Sequence, residues 1–440
     1  MQPTRRELLQ VGFSGMLGLG LPSLMASQKQ TTTKRKPHSL IIVFLTGAPS
    51  HLDMFDLKPS APKEVRGELK PTSTKTSGIQ ICEHLPGLAQ RTDKYAIIRS
   101  LSHRENNHLV ATHHVLTGHK MPGAFFDKIA SREDYPSYSA ALDYLRPQSG
   151  APTGVNLATF STQSPLAWPV QYAAFLGGKH DPWQITRDPN SPKFRVDSLS
   201  LPQGVTVDQL QDRQSLLKSL EEQQRSMEKT ASSTKLTEQQ QQAFSLLTSG
   251  KLSTAFEMDR EPDVIRDRYG RHTYGQSLLL ARRLIEAGTR VVQVNMGRVQ
   301  TWDTHSNNFK SLKDRLLPPL DRGVSALLDD LEARGRLDST MVLMMGEFGR
   351  TPKINNKAGR DHWAPCFFAV FAGAGVRGGQ VIGRSDKTGA YPATVPYTPD
   401  DLGATVLDVL GVDPHSEVRD MQNRPVQLNR GKVIRPLFTG

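Results

Sequence analysis

Six short apolar runs constrain this chain more than any other feature: Leu40–Leu45, Tyr95–Ile98, Val155–Thr159, Val291–Asn295, Met341–Met345 and Phe367–Ala372. Leu40–Leu45 is continuous and rich in β-branched residues, as in a strand buried on both faces of a parallel sheet. Thr46-Gly47-Ala48-Pro49-Ser50 ends it with turn chemistry. Helical patterns such as Leu278–Glu286 and Leu320–Ala333 lie between several of the runs. Strands alternating with helices predict a layered α/β fold.

The N-terminus reads differently. Thr4-Arg5-Arg6-Glu7-Leu8-Leu9 precedes an apolar, glycine-containing stretch from Val11 to Ala26. A charged start, a short apolar run and small residues near its end form a cleavable targeting segment, and adjacent arginines resemble the twin-arginine version. That pattern predicts a signal over residues 1–26, a basic linker over 27–37 and one domain over 38–440. The mature protein is then expected in the periplasm or secreted, after handling by the twin-arginine export machinery as a folded chain. No second apolar stretch approaches the roughly 20 residues of a spanning helix, so no transmembrane span is expected in the mature chain. Residues from about 205 to 255 are polar, Gln-rich and helical in pattern, with a stripe of Leu210, Leu216, Leu217 and Leu220. They predict a helical insertion that covers or extends the domain.

The whole chain carries a net charge of +12, but Arg5, Arg6, Lys29, Lys34, Arg35 and Lys36 lie in the leader and linker against only Glu7. The remaining basicity suits anionic esters or acidic polymers. Zinc-finger spacing and aromatic RNA-binding motifs are missing, so no nucleic-acid partner is expected. Cys82 and Cys366 allow one disulfide at most.

In an open α/β sheet, ligands bind beyond the carboxyl ends of the strands. Polar and ionisable residues follow four of the runs: Ser50-His51-Leu52-Asp53, Ser102-His103 through His108, Trp302-Asp303-Thr304-His305, and Gly346-Glu347-Phe348-Gly349-Arg350 with Arg360-Asp361-His362 beyond. Asp303, His305 and His362, with Glu347 or Asp361, offer the carboxylate and imidazole ligands of a divalent ion such as zinc, calcium or manganese. His108 and His113 are five apart, not the i,i+4 spacing of a helical metal box. Arg350 and Arg360 could clamp an anionic oxygen or pair within their own loops.

GAPSHLDMFDLKP, SHRENNH, LTG, LLLARRLIEAGTRVVQVN, WDTHSNNF, GEFGRTPKIN and GRDHW, in this order over residues 40–435, resemble a bacterial family of exported proteins of unknown function. That family is placed with the alkaline phosphatase and sulfatase-like superfamily. The resemblance implies a mixed-sheet α/β/α fold and hydrolysis of phosphate or sulfate esters at a metal centre. It puts His108 where those enzymes carry their nucleophile. It leaves Asp53 or Asp56 to replace the metal-binding Asp that follows the first strand, and makes Asp303, His305 and His362 one metal site. The reading is an exported metal-dependent hydrolase, with His108 as nucleophile or base and Arg350 stabilising the anion. The alternative is a catalytically degenerate relative that binds a sulfated or phosphorylated polymer or a partner protein.

Overall fold

A computed structural model describes residues 38–122, 130–159, 168–196 and 250–439, together with the strand pairs Phe13–Ser14/Leu19–Gly20 and Thr162–Gln163/Leu166–Ala167. Residues 1–37 form a unit by themselves, so the expected signal and linker lie outside the described residues apart from that first pair. The expected insertion also lies outside them, except for its end, a helix at Gly250–Phe256.

The domain is built on eight strands: β1 Ser39–Phe44, β2 Tyr95–Leu101, β3 Gly154–Leu157, β4 Trp183–Ile185, β5 Val291–Asn295, β6 Thr340–Met345, β7 Phe367–Ala372 and β8 Gln380–Ile382. They lie in the order β4-β3-β5-β1-β6-β7-β2-β8. All pair in parallel except β7, which runs antiparallel to both β6 and β2. β1 sits in the middle, and its side chains alternate between two cores. Ile41, Val43 and Leu45 face one; Leu40, Ile42 and Phe44 face the other. A strand covered on both faces must be apolar at every position, which is why it reads as an unbroken run.

Helices supply the two outer layers. On one face Leu278, Leu279, Leu320 and Leu327 fill the core, from the helices Thr273–Glu286 and Leu317–Ala333. On the other, Val115, Leu142 and Val406 come from α1 (His108–Thr117), Tyr138–Leu145 and Pro399–Val409. The layered α/β expectation holds, and the sheet is mixed and mostly parallel. Cys82 and Cys366 are both buried and free. Among the described residues no helix is long and apolar enough to cross a membrane.

Candidate metal centre

Because β1, β2, β5 and β6 are parallel, the loops after them gather at one edge of the sheet. α1 starts there: the Asn107 side chain caps it by accepting from the Leu109 and Val110 amides, which places His108 at the first helical position. Asp303 follows β5 on a loop tied to the end of β1, with the Trp302 amide donating to the Thr46 carbonyl at 3.1 Å. Gly47 has φ +108°, and a Cβ there would stand 2.9 Å from the Asp303 nitrogen, so only glycine lets the two loops pack this closely. Glu347 follows β6 and is fully buried. His362 returns beside it in a two-residue antiparallel pairing of Gly349–Arg350 with His362–Trp363.

Three histidines and Arg350 converge on the Asp303 carboxylate. Its Oδ1 lies 3.1 Å from His305 Nε2 and 3.2 Å from His362 Nε2, and those two nitrogens are 3.0 Å apart. His108 Nε2 is 3.2 Å from Oδ2 without hydrogen-bond alignment, so this buried nitrogen has no hydrogen-bond partner. The far side of each ring faces an oxygen: His108 Nδ1 meets Glu347 Oε1 at 2.6 Å, His305 Nδ1 meets Asp361 Oδ1 at 2.7 Å, and His362 Nδ1 meets the Asn106 carbonyl at 2.7 Å. In each neutral ring Nδ1 therefore carries the proton and donates, which leaves the Nε2 lone pair turned inward. Oxygen acceptors behind metal-binding histidines do this. Phe348 and Trp168 stack on the His108 ring, at centroid distances of 4.9 and 5.9 Å.

The electrostatics favour a cation. Burial opposes charge on His108, but Asp303 and Glu347 outweigh it and push its pKa up to about 9. Burial likewise opposes charge on Asp303, yet His108, His362 and Arg350 hold its carboxyl far below the usual range. Among the described residues, His108, Asp303 and His362 offer ligand atoms that all lie within 4.8 Å of one another. These residues fit a divalent ion: the donors are of the right type, and the orphaned His108 nitrogen gains a partner.

Two residues have other tasks than the sequence suggests. Arg350 is completely buried rather than open to an anion. Its Nε donates to the Ala48 carbonyl at 2.7 Å, Nη1 to the Arg360 carbonyl, and Nη2 to the Gly47 carbonyl and to Asp303 Oδ1 at 2.5 Å. Its donors are spent on holding Asp303 and the β1 loop. Asp53 does not join the metal-ligand set either. Both its oxygens take the buried Arg360 guanidinium, at 2.7 and 3.0 Å, and Oδ2 also accepts from Ser50 and Asn308. Glu347 is in the cluster, but its partners are His108 and the Gly47 amide, which donates to Oε1 at 2.9 Å. Sequence reasoning missed Trp168 and the Asn106 carbonyl. No motif marks Trp168, and a backbone acceptor has no residue signature.

The family described as "Protein of unknown function (DUF1501)" matches residues 37–438. The chain belongs to that family. No curated protein matches this DUF1501 sequence. Among solved structures it is similar to Ps i-CgsB, also solved in complex with k-i-k-neocarrahexaose, at 12% identity over 92% of this chain and 76% of that one, with a TM-score of 0.43. It is similar to a protein in the alkaline phosphatase superfamily from Vibrio parahaemolyticus, at 10% identity over 86% of this chain and 67% of that one, with a TM-score of 0.39. It is similar as well to the alkaline phosphatase of the Antarctic bacterium TAB5, at 11% identity over 86% of this chain and 99% of that one, with a TM-score of 0.37. At identities and scores this low, the centre has to be read from its own geometry.

Proposed function

We propose that this chain is an exported, metal-dependent hydrolase of phosphate or sulfate esters. The observation that carries the reading is the convergence of three histidine Nε2 atoms on one carboxylate, each ring backed by an oxygen acceptor. Asp303, His362 and His108, with His305 at the rim, would hold the ion. A divalent ion bound there supplies Lewis-acid polarisation of an anionic ester. The His305 side chain is 45% exposed, which marks the side from which an ester arrives. Arg104, Lys353 and Lys357 are exposed on the segments that carry Asn106 and Asp361, and they favour an anionic substrate. His108 is buried between two carboxylates and either ligates the ion or accepts the transferred group. Arg350 acts through Asp303, whose orientation it holds. The motif resemblance to the alkaline phosphatase and sulfatase-like superfamily points the same way, as analogy. Export rests on the Arg5-Arg6 pattern alone.

A second reading is an exported protein that binds a sulfated or phosphorylated polymer at this edge without cleaving it. It is favoured by the spent donors of Arg350 and Arg360, since neither of these buried guanidiniums is left to hold an anion. The test starts with elemental analysis of the exported protein, for wild type, Asp303→Ala and His362→Ala. It continues with aryl phosphate and aryl sulfate hydrolysis. Bound metal and ester cleavage in wild type, both absent from the two variants, support the hydrolase. Metal without cleavage, but with retention of sulfated or phosphorylated polymer, supports the binder. Protein that neither holds nor takes up divalent ions refutes the hydrolase and leaves the binder in its place.

A further inference from the structure

We infer that the indole N–H of Trp168 donates a hydrogen bond to the oxyanion bound at this centre. This role deepens the proposed function and rests on it, since a phosphate or sulfate group must come to the centre.

The chain has four tryptophans, Trp168, Trp183, Trp302 and Trp363. An indole N–H is a donor only, with no lone pair to offer a metal ion, so when buried it needs an acceptor. Trp302 Nε1 donates to the Met296 carbonyl at 2.8 Å, and Trp363 Nε1 to the Ala390 carbonyl at 2.6 Å. Trp183 is half-buried. Trp168 is 1% exposed, yet its buried Nε1 meets no acceptor in the protein. An unpaired buried donor opposes folding, so one that is kept calls for an acceptor from outside the chain.

Its surroundings say which acceptor. The Trp168 ring stacks on His108 at a centroid distance of 5.9 Å, with 26° between the planes. An N–H lies in the plane of its own ring, so this one runs alongside the imidazole and cannot end on its face. His108 Nε2, also buried and without a hydrogen-bond partner, stands 3.2 Å from Asp303 Oδ2. Two stacked rings at the centre thus each carry an unpaired nitrogen. The guanidiniums of Arg350 and Arg360 are spent on carbonyls and carboxylates of the fold. A neutral N–H takes over the work of orienting an anion, and it adds no charge to repel a cation beside it.

The segment that carries Trp168 is fixed in advance. Gln171 Nε2 donates to the Trp168 carbonyl at 3.1 Å, and Gln184 Nε2 donates to the Gln171 carbonyl at 2.8 Å. Between Trp168 and Gln171, the buried and β-branched Val170 takes φ +71°. That conformation costs free energy, and such strain gathers where a ligand must be held in one orientation. A donor already in place needs no reorganisation when the anion arrives.

The test follows the four indole N–H signals in the nuclear magnetic resonance spectrum of the isotope-labelled full chain. Replacing each tryptophan singly by phenylalanine assigns them; if Trp168→Phe fails to fold, the other three replacements assign its signal by elimination. Inorganic sulfate and inorganic phosphate are titrated separately. At least one of them should move the Trp168 signal downfield and slow its exchange with water, and which one does so tells a sulfate site from a phosphate site. Trp168→Phe keeps a stacked ring and removes the donor. It should bind that anion about 10–100-fold more weakly, the loss expected for a hydrogen bond to a charged acceptor, with the metal content of wild type. A Trp168 signal that neither anion moves, or undiminished anion binding by Trp168→Phe, would overturn the inference, and aryl ester cleavage by the same protein would leave the hydrolase standing without it. A shifted Trp168 signal without ester cleavage would keep the inference and remove the hydrolase.

Discussion

Replacing Asp53 by alanine separates a structural carboxylate from a metal ligand. Asp53 and Arg360 are each 0% exposed, and the guanidinium meets the carboxylate through both Nε and Nη2. Removing one partner of a buried ion pair leaves a charge without compensation and costs about 3–5 kcal/mol. Arg360 keeps carbonyl partners at Thr351, Pro352 and Val65, which places the loss near the lower end, about 3 kcal/mol. Ser50 and Asn308 lose their shared acceptor as well. Urea unfolding followed by circular dichroism should show a large drop in midpoint. The folded Asp53→Ala protein should still bind as much metal as wild type. An Asp53→Ala/Arg360→Met double variant should recover part of the loss, because no buried charge remains. A loss below about 1 kcal/mol would refute the buried-pair argument, since such a value is typical of exposed pairs. A well-folded Asp53→Ala protein without its metal would show instead that Asp53 is a ligand.

Three further outcomes follow from the geometry. His103 donates Nε2–H to the Glu347 carbonyl and accepts the Glu105 amide at Nδ1; burial, with His114 nearby, outweighs the Glu347 hydrogen bond and keeps it neutral, with a pKa lowered to about 4. A histidine whose folded pKa is depressed contributes stability above its unfolded value of about 6.5, and that stability is lost as pH falls towards 4. Its share is up to about 3 kcal/mol, and His103→Gln should flatten the decline of the urea midpoint over that window; an unchanged slope would contradict it. Gly47→Ala forces a side chain into a φ of +108° and against Gln300 and Asp303, so it should cost about 1–3 kcal/mol and weaken metal binding; equal metal affinity would show that the loops can part. Asn107→Ala removes the cap of α1 and should lower stability by about 1 kcal/mol, read in the same unfolding assay, with no loss expected if water replaces the cap fully.

The parallel strands were legible because a strand covered on both faces is apolar throughout. Leu40–Leu45 and Met341–Met345 could hardly be read otherwise. β4 and β8 were not, since three residues, two of them half-buried, leave no run to see. The reversed direction of β7 was hidden too, for Phe367–Ala372 is equally apolar in either sense.

The site divides in the same way. Asp303, His305 and His362 could be picked from the sequence because carboxylates and imidazoles after strand ends are chemically conspicuous, and parallel strands bring their loops to one edge. Residue type alone does not say what a charge meets. Arg350, Arg360 and Asp53 look like site residues in sequence, yet close packing encloses all three, among carbonyls or against each other. The sequence by itself determined the layered sheet and the supply of carboxylates and imidazoles at its edge, because periodicity and side-chain chemistry are local properties. Only the tertiary structure decided which of these side chains share a point and which charges are spent on the fold, because hydrogen-bond partners come from segments up to about 300 residues apart.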